Sequence, residues 1–107
     1  MWQTRSALWW VSVTVDATIS APQENVFRVH LAETPSDFPS LDEAVAFAEE
    51  TISAQARERA TEAGAIDVKV KIDRDDNVVP IDGRDFFVES KLVATASGRA
   101  RIANLIE

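Results

Sequence analysis

The chain contains no cysteine, a single histidine and three glycines among its 107 residues. The lack of cysteine excludes disulfide bonds and thiolate metal sites, and it fits a protein of the reducing cytoplasm. A zinc site is disfavoured as well, since only one imidazole is present. Three isolated glycines, Gly64, Gly83 and Gly98, cannot form a Gly-rich phosphate-binding loop. The sequence therefore predicts no metal site and no cofactor site in this chain.

Positive charge and long apolar runs are also scarce. The formal net charge is −7, and Arg99 and Arg101 are the nearest approach to a basic patch. Binding to nucleic acid needs a basic surface, so this function is disfavoured. No run approaches the roughly 18 apolar residues of a membrane-spanning helix. The expectation is a soluble, cytoplasmic protein with one domain over residues 1–107.

Two β-strands are predicted before the middle of the chain. Apolar and polar residues alternate without interruption from Trp9 to Ile19, which indicates a strand with one buried face. A turn with Pro22 follows, and a second strand is predicted from Val26 to Leu31. Within it Phe27, Val29 and Leu31 point inward, and His30 points outward.

A polar loop, Glu33–Pro39, separates these strands from the most clearly predicted element. Ser40 and Glu43 have the spacing of a capping box, and apolar residues then recur at helical spacing as far as Ala63. Gly64 suits the left-handed residue that follows a helix. The sequence therefore predicts an amphipathic helix from about Ser40 to Ala63, with a stripe of small residues for close packing on a sheet.

Two more strands complete the predicted domain. Ile66–Asp73 alternates with Ile66 inward, and Phe86–Ala96 alternates with Phe86 and Val88 inward. Asp73–Asp85 is predicted to be a charged connection that contains the turn dipeptide Asp82-Gly83. The fold class is α+β, a two-layer β-β-α-β-β arrangement in which one long helix covers a four-stranded, largely antiparallel sheet.

The candidates for catalysis and metal binding are weak. His30 lies on an outward face without a motif for a nucleophile or an orienting carboxylate, so a surface histidine is favoured. Asp73, Asp75 and Asn77 have the spacing that begins a calcium loop. Val78 and Arg84, however, occupy positions where that loop needs Gly and a bidentate Glu. A charged hairpin tip is the favoured interpretation, and no catalytic residue is predicted.

Aromatic residues on a predicted outward face suggest a covered surface. Trp10 points away from the predicted core, as do Phe87 and Val93 on the last strand. Two interpretations stay open. These residues are scattered surface hydrophobics, or they form a docking face for another domain or subunit. Trp10, Phe87 and Val93 are therefore the candidate interface residues.

Three stretches give the chain a family resemblance: Ile19–Leu31, Ala56–Ala65 and Phe86–Ile102. In these stretches it resembles the C-terminal segment of the large (A) subunit of hydantoinase/oxoprolinase proteins, of the N-methylhydantoinase A type. Ala100 departs from the proline expected after Gly98-Arg99. None of the stretches is a catalytic motif.

The resemblance implies that the chain is an excised C-terminal fragment of a longer ATP-dependent cyclic amidase. ATP and a divalent metal would belong to the parent's actin-like core, and the partners would be the remaining parent domains and a second hydantoinase-type subunit. The expected role is that of a non-catalytic accessory domain in domain or subunit packing. The alternative is a stand-alone binding or self-association module that uses the aromatic sheet face.

Overall fold

In the part of the chain that the structure describes, one α-helix packs on one face of a five-stranded antiparallel sheet. The computed structural model describes residues 9–31 and 34–100. Its elements are β1 (Trp9–Gln23), β2 (Val26–His30), β3 (Ser36–Phe38), α1 (Leu41–Glu62), β4 (Ala65–Ile81) and β5 (Arg84–Ala100). The sheet order is β3-β2-β1-β5-β4, and every neighbouring pair is antiparallel. Glu33 of the predicted loop, and Arg101 and Ile102 near the end of the chain, lie outside the described residues.

The α+β class is confirmed, but the predicted number of strands is wrong. Ser36–Phe38, part of the predicted loop, is a short strand that pairs with β2. Its pairing places Phe38 opposite Phe27, and the Phe38 ring lies 5.0 Å from that of Phe47 on the helix. Three residues between two prolines carry too little alternation to predict a strand, so tertiary contacts decide it.

Helix α1 forms as predicted. Ser40 is its N-cap, and its Oγ accepts a hydrogen bond from the Glu43 amide at 3.2 Å. Gly64 follows the C-cap residue Ala63 with a φ of +97°, a conformation that glycine adopts without strain. The buried side of the helix is formed by Ala44, Val45, Ala48, Ile52, Ala56 and Ala60. Four alanines in this set let the helix axis approach the sheet closely.

The sheet contributes the other half of the core. Val15, Ala17 and Ile19 of β1 and Leu92, Ala94 and Ala96 of β5 are buried against the helix, as the alternation predicts. Ile19, Ile52 and Leu92 are completely buried. The opposite face of the sheet carries mainly polar residues. This second face is called the outer face below.

The first hairpin is tighter than the predicted turn. Strand β1 continues past Ile19 to Gln23, and the two residues Glu24 and Asn25 connect it to β2, with Asn25 at a φ of +59°. The pairing register shifts between Ser20 and Gln23, which places Pro22 at a β-bulge. A bulge can hold proline because it breaks the ladder locally, so proline did not end the strand.

Candidate interaction surfaces

A shallow depression lies at one end of the outer face, beside Trp10. Trp10 is opposite Arg99 in the β1–β5 register, and its side chain is 66% exposed. The depression has a volume of about 500 Å³, and its polar lining comes from Asp67, Lys69, Ser97 and Arg99. An exposed indole, two cations and one carboxylate therefore surround one open site.

Residues of a β-bulge in β4 line part of this depression. The β4–β5 register shifts between Ile66 and Lys69, and Asp67 within the bulge has a φ of +57°. Its carboxylate accepts a hydrogen bond from Nη2 of Arg99 at 2.8 Å. The bulge also turns Ile66 outward, where it is 42% exposed, while Ala65 is buried. The prediction that Ile66 points inward is therefore wrong.

Gly98 is required where the two strands meet at the bulge. A Cβ added to Gly98 would lie 2.6 Å from the carbonyl oxygen of Ile66 and 3.4 Å from Cβ of Ala65. Glycine permits a close backbone approach here, and the neighbouring backbone is strand β4 of the same chain.

The second surface is a two-stranded arm formed by the ends of β4 and β5. The β1–β5 pairing ends at Ser20 and Glu89, but β4 and β5 remain paired as far as Ile81 and Arg84. Asp82 and Gly83 close the arm with φ values of +52° and +78°, as a type I′ turn requires. The five β5 residues 84–88 make the arm about 16 Å long. The predicted charged connection is thus mostly strand.

The arm is unusually apolar for an exposed hairpin. Five of the eight large hydrophobic residues that are exposed in the described ranges lie on it: Val78, Val79, Ile81, Phe86 and Val88. The register pairs Val79 with Phe86 and Ile81 with Arg84, so these pairs share one side of the arm. Clusters of exposed apolar side chains in a folded chain commonly mark contact surfaces.

A second bulge decides which phenylalanine faces the core. The β4–β5 register shifts between Asn77 and Val78, because Val88 is the extra residue of β5. Phe87 therefore packs against the core, with its ring edge-to-face on Phe27 at a centroid distance of 5.9 Å. Phe86 is 45% exposed and Val88 is 44% exposed. The inward prediction for Phe86 and Val88 is wrong, and so is the outward one for Phe87.

The three candidate interface residues do not meet. Trp10 lies at the depression, and Phe87 lies on the helix side at the base of the arm. Val93 is half-buried in mid-strand, opposite Asp16 on one side and Asp73 on the other. Arg99 lies six positions further along β5, which is about 20 Å along a strand. The hydrophobic residues that cluster instead are those of the arm.

One polar network stabilises the base of the arm on the helix side. Arg74 donates two hydrogen bonds to the carboxylate of Asp76, at 2.8 and 2.9 Å, and the buried Ser90 hydroxyl donates a third. The Arg74 guanidinium, and then Ser90, lower the pKa of Asp76 below its ordinary value. This network satisfies Ser90, the polar residue in the apolar alternation of β5.

The histidine lies on the outer face, as predicted. The Nε2 atom of His30 lies 2.9 Å from Oγ of Ser20, and both side chains are on the outer face of the sheet. Asp37 on the neighbouring strand β3 accepts two hydrogen bonds from Arg28, which lower the pKa of its carboxyl group. Because Asp37 is engaged by Arg28, it does not orient the imidazole as the carboxylate of a catalytic triad would. The arrangement gives no support to nucleophilic catalysis.

The predicted hairpin tip at Asp73–Asn77 is instead the middle of strand β4. Asp73, Asp75 and Asn77 follow the regular register opposite Val93, Lys91 and Glu89. A calcium loop needs a backbone that turns around the ion, and an extended strand does not provide one. Across residues 9–31 and 34–100, no group of three or more His, Cys, Asp or Glu side chains is arranged to hold a metal ion.

The fold and its surfaces define a small two-layer α+β domain with a one-sided sheet and a projecting apolar arm. Comparisons with protein-family models, with curated proteins and with solved structures gave no match to the chain. Among the described residues, no helix is both long and apolar enough to cross a membrane.

Proposed function

We propose that this chain is a non-catalytic accessory domain that holds other protein domains or subunits together through its hairpin arm. The observation that carries the proposal is the apolar cluster of Val79, Ile81 and Phe86 on an arm that projects past the end of β1. Covering exposed apolar side chains with another surface is favourable, by about 25 cal/mol per Å² of apolar area removed from water. Contact between the arm and another protein surface would therefore be stabilising.

The parent in this proposal is a hydantoinase/oxoprolinase-type, ATP-dependent cyclic amidase of the cytoplasm. Its support is the resemblance in Ile19–Leu31, Ala56–Ala65 and Phe86–Ile102. These stretches supply β2, the end of α1 and most of β5, which are framework elements. ATP and any divalent metal would bind in the parent's core, and the arm would contact that core or the second subunit.

Binding to an amidase core tests this proposal directly. The probe is a hydantoinase A-type core expressed without its C-terminal segment, and binding is followed by calorimetry. The expected result is binding by the native chain and loss of binding in the Val79→Ser/Phe86→Ser variant. The Thr14→Ala variant changes an exposed outer-face position of β1 and serves as the control.

Three results would each overturn part of the proposal. ATP hydrolysis by this chain alone would show that it is catalytic. Binding to the amidase core that is equally strong with and without the arm substitutions would show that the arm is not the contact surface. Failure of the native chain to bind any such core would overturn the assignment of the parent.

The Trp10 depression favours a second candidate, a binding module for a flat ligand. The exposed indole offers a stacking surface, and Lys69 and Arg99 would favour a negatively charged group. Titration with benzoate, followed by tryptophan fluorescence, tests it. Saturable quenching that the Lys69→Ala variant weakens would support the module, and an unchanged spectrum would reject it for this class of ligand.

A further inference from the structure

Among the described strands, β4 has a long outer edge with no neighbouring strand, and the charges along it are arranged in a self-complementary order. Strand β4 has 17 residues and is the last strand of the sheet. Edge strands of this length are uncommon, because their free N–H and C=O groups can pair with another chain. Between Lys69 and Asn77 the β4–β5 register runs without a shift, so this part of the edge is regular.

Four charged residues follow one another on the outer face of that regular segment. Lys69, Lys71, Asp73 and Asp75 are opposite Ser97, Thr95, Val93 and Lys91 of β5. Since the buried Leu92, Ala94 and Ala96 point to the helix, all four charges lie on the outer face. Their order is two cations followed by two anions. Lys71 and Asp73 are also well exposed, at 78% and 63%.

We propose that β4 pairs antiparallel with β4 of a second copy of this chain, about a two-fold axis at Ile72. In that register Lys69 faces Asp75 of the second copy, and Lys71 faces Asp73 of the second copy. Symmetry repeats both pairs, so four ion pairs form across the joint. The two sheets become one continuous sheet, with the helices on the same side.

Neighbouring registers are disfavoured by the same charges. Moving the axis to Lys71 brings the two copies of Lys71 face to face, and moving it to Asp73 does the same with two carboxylates. Like charges directly opposite each other destabilise a strand pair. On the helix side, the axis at Ile72 brings two half-buried isoleucines together. The charges on the outer face therefore select this register, and the apolar contact on the helix side is compatible with it.

The dimer should be weak and sensitive to salt. Pairing along one strand segment buries less than the roughly 800 Å² per partner of a typical stable interface. Exposed ion pairs also weaken as salt rises, because screening shortens the range of their attraction. This inference concerns a different surface from the arm and does not depend on the proposed function.

Complementary charge variants provide the test. Lys69→Asp/Lys71→Asp makes the segment wholly acidic, and Asp73→Lys/Asp75→Lys makes it wholly basic. Sedimentation equilibrium, from about 10 µM to about 1 mM protein, covers the range of weak association. We expect each variant to self-associate about tenfold or more weakly than the native chain. Circular dichroism of each variant checks that the fold is retained.

The decisive sample is an equimolar mixture of the two variants. Every acidic position then faces a basic one in the proposed register, so the mixture should recover a dimer at least as stable as the native one at low salt. Self-association of the separate variants at native strength would overturn the proposal. Failure of the folded variants to associate when mixed would overturn it as well. Dimerisation that only Val79→Ser/Phe86→Ser abolishes would assign the contact to the arm instead.

Discussion

The ring of Phe87 packs edge-to-face against that of Phe27, with the ring planes at 66°. This contact joins the base of the arm to β2, two strands away in the sheet. Phe86, the preceding residue, is opposite Val79 and is 45% exposed. Two adjacent phenylalanines thus have different roles, one in fixing the arm and one in forming its exposed surface.

The first prediction compares these two residues. Phe87→Ala removes the contact with Phe27 and leaves a gap beside the core, so we expect a loss of about 2 kcal/mol in the free energy of unfolding. Phe86→Ala should change it by less than about 0.5 kcal/mol. Urea unfolding followed by tryptophan fluorescence measures both. Equal losses would mean that the bulge at Val88 does not decide which ring faces the core.

The second prediction concerns the close packing of helix and sheet. Ala56 is completely buried against the sheet, whereas Ala54 is exposed on the same helix. Ala56→Leu should lower stability by about 1–3 kcal/mol, because the extra carbons force the helix away from the sheet. Ala54→Leu should be nearly neutral, since alanine and leucine have similar helix propensities and position 54 is exposed. Thermal unfolding of the two variants gives the comparison.

The third prediction concerns Gly98. In Gly98→Ala the new methyl group meets the Ile66 carbonyl, which is backbone and cannot move without shifting the bulge. We expect a loss of about 1–3 kcal/mol in stability, together with a changed fluorescence from Trp10 beside the bulge. Ser97→Ala, at the neighbouring position, is the control and should change neither signal much. A fully stable Gly98→Ala variant would show that β4 does not approach this closely.

The fourth prediction concerns the dependence of stability on pH. The folded state lowers the pKa of Asp76, whose ordinary value is 3.8. The carboxylate therefore stabilises the fold fully above about pH 4, and this contribution is lost as the pH falls through the lower, folded-state pKa. Asp76→Asn should be less stable than the native chain at pH 7, and the difference should shrink in acid. Urea unfolding between pH 7 and pH 3 measures it.

The matched control for this experiment is Asp85→Asn. It removes the same charge from the exposed arm, opposite Pro80, without touching Arg74 or Ser90. Its stability should follow that of the native chain across the pH range. If the Asp76→Asn difference stayed constant down to pH 3, the ionised carboxylate would not be the source of the stabilisation.

Much of the secondary structure is visible in the sequence. Alternation from Val11 to Ile19 predicts the buried face of β1, since a strand turns every second side chain to the core. Ser40 and Gly64 define the two ends of the helix, because local hydrogen bonding and backbone freedom act there. Such signals depend on residues that are close along the chain.

The interaction surfaces were much less predictable. Phe86, Phe87 and Val88 are all apolar, so no local pattern tells which one faces the core. A single inserted residue exchanges the two faces of a strand, and the bulges at Asp67 and Val88 are such insertions. The candidate interface of Trp10, Phe87 and Val93 follows from the sequence only if side chains alternate between the two faces without interruption along each strand. The sequence does not predict the exposed residues of the arm, because the charges and the Asp82-Gly83 turn in Asp73–Asp85 favour a connecting loop there.

Composition alone gives an acidic chain without cysteine. Periodicity and capping predict the α+β class, helix α1 and the face that this helix buries, since these signals arise within a few residues. The strand order, the short strand β3, the arm and the edge position of β4 are visible only in the folded structure. These depend on which strands pair and where the register slips, and the energy of pairing comes from residues far apart in the chain.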